Sequence, residues 1–216
     1  EPWVAACQCV WLGIWLWAGV SKLNHHFPSV IMVMMNNGPF FPRALKRRLF
    51  RSFPDDLRPS SFAVGMARMG TVTEMSIPLL LVLSPSPEVT FVALCVMTVF
   101  HGYIALNNPS GMPIEWNIAM VYGGWFLFGM NPDASIAALL AHPVLLAFLV
   151  VVMLVIPAYG NVVPSRVSFL LAMRYYAGNW AYTIWLFRGD SAQKLQKLKK
   201  ASGTLREQPE KLVPDE

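Results

Sequence analysis

Between Val4 and Val20 the chain carries no charge, and Lys22, Asn24, His25 and His26 then arrive within five positions. A helix needs about 20 apolar residues to cross the hydrocarbon core of a bilayer. Trp15 and Trp17 are rings of the kind that settle near headgroups. The run is therefore expected to be a membrane span that delivers a Lys and two His to one face of the bilayer, with the rest of the chain arranged around it.

Composition supports that reading. Of the 216 residues 55% are hydrophobic and only 13% charged, eight are Trp, and mean hydropathy is +0.46. A soluble domain carries about 25% charged residues, roughly twice as many. One helical bundle suits this length. The cysteines Cys7, Cys9 and Cys95 sit in apolar runs, so they read as packing residues rather than a disulfide framework or a spaced zinc site. The first residue is Glu, and nothing before Trp3 resembles a basic signal-peptide region. The chain is expected to be cut from a longer protein, with a further C-terminal portion.

Charge placement says more than the net +5. Six basic residues lie between Arg43 and Arg58 and seven between Arg188 and Lys211. A basic, Trp-rich, mostly apolar chain describes a membrane protein with cytoplasmic Lys/Arg loops, not a nucleic-acid binder. The expected location is the inner (cell) membrane, with the basic loop and tail cytoplasmic.

The fold class expected is all-α, a polytopic bundle. The first span is about Trp3 to Val20. Ser29 to Phe41 is too short to cross and should lie in the interface or dip back. In Arg43 to Phe53 the spacing of Leu45, Leu49 and Phe53 among five basic residues predicts a basic amphipathic helix on anionic headgroups. Further spans are expected over Ser61–Leu83 (with a kink at Pro78), about Val89–Leu106, about Pro113–Met130, and within Ser135–Ala158, where His142-Pro143 breaks the segment. Pro164 to Phe187 is long enough to cross, but a sixth crossing would strand the basic tail outside. Five crossings plus an interfacial or re-entrant sixth segment are predicted, six crossings being the alternative. Residues 1–187 then form the bundle, 42–58 a basic interfacial element, and 188–216 a basic tail whose Ser191–Leu205 stretch reads as a surface helix.

With a rise of about 1.5 Å per residue, Arg68 and His101 come to share a layer roughly 8 to 11 Å deep. Glu115 and Asn117 begin the fourth span on that side, and Lys22, Asn24, His25 and His26 end the first span there. Glu74 is placed deeper, about 20 Å in. A buried charge in hydrocarbon costs at least about 2.5 to 3.5 kcal/mol, so Arg68 and Glu74 should find partners inside the bundle. Glu115 is the expected partner of Arg68, with His101 bridging.

Several chemistries are open to this layer. Lys22, His25, His26, His101 and Glu115 are candidate catalytic groups, Lys22 acting as a base if burial lowers its proton affinity. Asn24, Arg68, Glu74 and Asn117 are candidate ligand contacts, and Arg43, Lys46, Arg47 and Arg48, with Lys22, could hold an anionic lipid headgroup. A metal site is not expected, because adjacent His25 and His26 diverge on a helix and the spacing matches no zinc motif. The bland alternative is a polar network that merely pins helices together.

At AGVSKLNHHFP (Ala18 to Pro28), PRALKRRLFRSFPDDLRPS (Pro42 to Ser60), IEWN (Ile114 to Asn117) and AMRYYAGNW (Ala172 to Trp180) the chain resembles an actinobacterial, largely mycobacterial, family of multi-pass membrane proteins known as domain of unknown function 3556. That resemblance implies a membrane location and a cytoplasmic portion beyond Glu216, and it brings no activity, cofactor or catalytic residue. The shorter AGVSKL is also similar to the first-helix signature of DoxX-like and vitamin K-dependent carboxylase-like membrane domains.

The sequence leads to a membrane protein with a cytoplasmic-side polar cavity that binds or modifies a lipid or isoprenoid-type ligand. A non-catalytic subunit assembled with other membrane proteins is the alternative, and a transporter the next. No cofactor is named by any motif.

Overall fold

The protein was described from a computed structural model, which defines residues 2–84, 86–107, 114–174 and 189–197. It is mostly helical. The packing of these described residues divides into two compact units, one within 2–24 and 70–174 and the other within 25–69 and 189–197.

In the first unit, helix α1 (Pro2–Ser21) is the hub. Its buried positions Val4, Gln8, Trp11, Leu12, Trp15, Ala18 and Gly19 recur at helical spacing and face the other elements. Around it stand the later part of α4 (Ser61–Leu83), α5 (Pro87–Asn107) and α6 (Glu115–Gly124). α6 runs on into a π-helical turn, Trp125–Gly129. A 3-10 turn, Ile136–Ala141, precedes α7 (Pro143–Val150), a second π-helical turn (Val151–Val155) and α8 (Ile156–Val162). Val4, Trp11, Leu12 and Trp15 of α1 pack with Ile77, Leu94, Met97, Met120, Leu127 and Phe128 in the largest core cluster.

Polar side chains of α1 tie it to its neighbours. Gln8 donates to the Leu127 carbonyl at 2.8 Å and Trp17 Nε1 to the Met153 carbonyl at 2.7 Å. Both acceptors lie in π turns, where the regular i→i−4 ladder is interrupted and a carbonyl can meet a side-chain donor. Trp11 Nε1 donates to the Met120 carbonyl at 3.1 Å, and its ring rests on Gly123-Gly124, where an added Cβ would come within 3.0 Å of it. Small residues of this kind let membrane helices approach closely.

Among the described residues, four helical stretches are long and apolar enough to cross a membrane: Pro2–Ser21, Ser61–Leu83, Pro87–Asn107 and Pro143–Val162. Most of each of the last two is left uncovered by the rest of the protein, and Val99, Val144 and Phe148 are among their exposed large side chains. Apolar faces this wide suit contact with lipid. The first two spans match their expected bounds closely, and the break at His142-Pro143 is present. The span expected over Pro113–Met130 is shorter than the four, with ten residues of α6 and five of the π turn.

In the second unit, α2 (Phe27–Asn37) is too short to cross, as expected, and packs Met32 and Met35 on Leu49 and Ala63. The basic helix expected over Arg43–Phe53 is corrected. Only α3 (Arg43–Arg48) is helical, and Phe50–Ser52 then pairs antiparallel with Asp56–Pro59 as a hairpin β1-β2. Leu49 accounts for the change: it is fully buried among Met32, Met35 and Ala63, and the chain turns there instead of continuing the helix. Ser60 caps α4, its Oγ accepting from the Ala63 N–H at 3.2 Å. The segment Pro164–Phe187 is described only to Arg174, where it forms turns, so its crossing lies outside the described residues. Of the expected tail helix, Ser191–Gln196 is described.

Candidate functional site: a buried polar layer and an arginine-lined pocket

The polar layer of the first unit starts from Gly19. A Cβ there would lie 2.9 Å from Met75 Cγ and 3.3 Å from the Met75 backbone nitrogen, so glycine is what lets α1 touch α4. One turn later α1 ends, with the Lys22 and Leu23 N–H groups bonded back to the Gly19 and Val20 carbonyls. Lys22 then reaches Glu74, its ammonium donating to both carboxylate oxygens. The two side chains are 10% and 3% exposed. A buried pair of this kind holds because each charge would otherwise be stranded in low dielectric.

Beside it, α5 supplies His101 and α6 supplies Asn117. His101 Nδ1 lies 3.0 Å from Asn117 Oδ1, and both residues are buried. With the amide oxygen as acceptor, the imidazole proton sits on Nδ1 and Nε2 presents a lone pair. The His101 ring lies against Trp15, centroids 5.2 Å apart, and against Phe100 at 5.8 Å. The Lys22 ammonium is within electrostatic reach of the ring.

Four of the candidate residues thus meet in one unit: Lys22, Glu74, His101 and Asn117. The depth order needs correction, since Glu74 stands level with Lys22 and not deeper. Spans that begin flush would set the end of α1 beside Ser61, whereas Gly19 near that end meets α4 at Met75. Arg68, expected to be a buried charge, is exposed, and so is Glu115 in the first turn of α6. The buried carboxylate that finds a cation is therefore Glu74. Asn24 closes the end of α1, donating to the Ser21 carbonyl at 2.8 Å. His25 and His26 belong to the second unit, where both are exposed and their rings lie 3.8 Å apart. Among the described residues no group of three or more His, Cys, Asp or Glu is placed to hold a metal ion.

Two buried residues of α1 were not among the expected site residues: Trp15, in this layer, and Gln8, about 20 Å further along the helix from Lys22. Trp15, expected near headgroups, is instead 2% exposed and packs against His101. Gln8 had a usable signal: an amide amid an uncharged run must face protein rather than lipid.

The second unit holds a different site. An open cavity of about 550 Å³ is lined by Arg47, Arg48, Arg51, Phe50, Phe53, Phe62, Ser60 and Ser61. α3 and β1 bring the arginines, the hairpin brings Phe50 and Phe53, and the first turn of α4 closes the wall. The Arg47 guanidinium stands 5.9 Å over the Phe53 ring. Ser60 Oγ donates to the Arg48 carbonyl at 2.7 Å, and Arg51 Nε donates across the hairpin to the Pro59 carbonyl at 3.4 Å. Among the described residues no carboxylate lines the cavity. Asp56, in the same hairpin, is bonded by Arg58, whose guanidinium holds its carboxyl down to about 2.

Of the expected headgroup ligands, Arg47 and Arg48 line this cavity. Arg43 is exposed outside its wall, and Lys46 is turned to the end of α2, donating to the Asn36 carbonyl at 2.8 Å. Arg51, Phe50, Phe53, Phe62, Ser60 and Ser61 were not foreseen, because a pocket folded from a hairpin has no helical period to reveal it.

A family model described as "Transmembrane protein of unknown function (DUF3556)" matches residues 2–216. No curated protein and no solved structure matches the chain.

Proposed function

The chain belongs to the DUF3556 family of transmembrane proteins, and from that premise we propose that it binds a phosphate-bearing lipid, of glycerolipid or isoprenoid type, by its headgroup. The arginine-lined cavity carries this reading. Three guanidinium groups without a lining carboxylate suit a phosphate or another anion, since arginine forms paired hydrogen bonds to such oxyanions. Phe50, Phe53 and Phe62 in the same wall suit the glycerol or first carbons of a chain, and Ser60 and Ser61 add hydroxyls.

Anionic lipid in the cytoplasmic leaflet attracts basic segments by about 1 kcal/mol per Lys or Arg near the surface. This supports placing 42–58 and the tail at the cytoplasmic face of the cell membrane. The helices Pro2–Ser21, Ser61–Leu83, Pro87–Asn107 and Pro143–Val162 are then crossings, and the α6 segment is the fifth crossing of the proposed topology.

A role as a non-catalytic membrane subunit is the second reading. The closed Lys22–Glu74 pair favours it, because a satisfied ion pair pins α1 to α4 without leaving a free reactive group.

The test is a titration of the detergent-solubilised protein with short-chain phosphatidate and with short-chain phosphatidylcholine. Phosphatidate is expected to bind more tightly, and Arg47→Gln/Arg48→Gln/Arg51→Gln to remove the preference. Equal binding of both lipids contradicts the reading.

A further inference from the structure

We propose that Trp15 and His101 together form a hydroxyl-binding site inside the first unit, taking the O–H of an internal water or of a lipid alcohol. The site does not rest on the arginine pocket.

Trp15 and His101 are 2% and 6% exposed, with ring centroids 5.2 Å apart. Among the described residues, Trp15 Nε1 and His101 Nε2 are both buried without a hydrogen-bond partner. Buried polar groups are paired in the great majority of cases, so two orphans on touching rings point to a shared partner. Their chemistry is complementary. Trp15 Nε1–H can only donate, and His101 Nε2, with the proton held on Nδ1 by Asn117, can only accept. A hydroxyl does what both need, accepting from Nε1–H through its oxygen and donating its proton to Nε2. A carbonyl would satisfy Trp15 alone, and an ammonium His101 alone. Lys22 is already committed to Glu74, so its charge biases the site without filling it. Asn117 acts as a positioning residue, fixing which imidazole nitrogen is offered.

The experiment uses the full chain with 15N-labelled histidine in a phosphocholine detergent, which has no hydroxyl. His101→Gln identifies the His101 signals. Titration with decanol is expected to shift the Nε2 resonance saturably, whereas decane leaves it in place. Trp15→Phe, which keeps an aromatic ring there, is expected to weaken decanol binding about three- to tenfold, the worth of one hydrogen bond. An Nε2 that resonates as a hydrogen-bonded acceptor before alcohol is added, and moves with Trp15→Phe but not with decanol, assigns the hydroxyl to water and upholds the site. An Nε2 that resonates as a free lone pair throughout, or that carries the proton itself, overturns the proposal.

Discussion

Lys22 and Glu74, 52 residues apart in sequence, close a buried ion pair where the first helix ends. The pair joins α1 to α4 at the spot where Gly19 lets the two backbones meet.

Removing one member strands the other. Lys22→Met is expected to destabilise the protein by about 3 to 5 kcal/mol, read as a lower midpoint of thermal unfolding in detergent. Lys22→Met/Glu74→Leu should regain most of the loss, because two apolar groups need no counter-charge. A double variant no more stable than Lys22→Met would show that the pair is not the source of the effect.

Gly19→Val tests the approach that makes the pair possible. The new side chain meets Met75 Cγ at 2.9 Å and Glu74 Cβ at 3.2 Å, and must push α1 from α4. Overpacking of this sort costs about 1 to 3 kcal/mol. Gly102→Ala in the same unit is the control: nothing lies within 4 Å of its added Cβ. It should be neutral or stabilising through helix propensity, by up to about 1 kcal/mol.

The hairpin of the second unit has a pH signature. Hydrogen bonds from Arg58 lower the Asp56 carboxyl to about 2. A depressed folded value means a contribution fully present above the unfolded value of about 3.9, and lost as pH falls through about 2. Carboxyl 13C shifts of Asp56 should follow that low midpoint, and Arg58→Gln should raise it toward the ordinary range. A midpoint unchanged by the substitution would contradict the assigned cause.

The proposed topology places both basic segments inside. With Cys7, Cys9 and Cys95 replaced, cysteines introduced at Ser52 and Ser202 should resist an impermeant reagent in intact cells and react after permeabilisation. Labelling of either from outside would contradict the orientation.

Long, mostly apolar runs bounded by polar turns or proline were legible in the sequence, which is why α1, α4 and the His142-Pro143 break fell where expected, although α4 carries Arg68 and Glu74. The hairpin was not. Leu45 and Leu49 fit a helical period, and only the burial of Leu49 against Met32 and Met35 shows why the helix stops. His101 and Asn117 were placed together by counting depth from the span ends. The same counting misplaced Glu74 relative to Lys22, because the end of α1 meets α4 at Met75 and not at its first turn. The arginine pocket was half visible: Arg47 and Arg48 follow from local charge density, whereas Phe62 reaches it only through the fold.

The most direct measurement of the central claim is photo-crosslinking. A short-chain phosphatidate bearing a photoactivatable group at its first carbons would be bound to the purified protein, irradiated, and the attached peptide mapped by mass spectrometry. Crosslinks should fall within residues 47–62, which supply every lining residue of the cavity, and excess unlabelled phosphatidate should suppress them where phosphatidylcholine does not. Crosslinks spread along the exposed faces of α5 and α7, indifferent to either competitor, would contradict a headgroup site at the arginines.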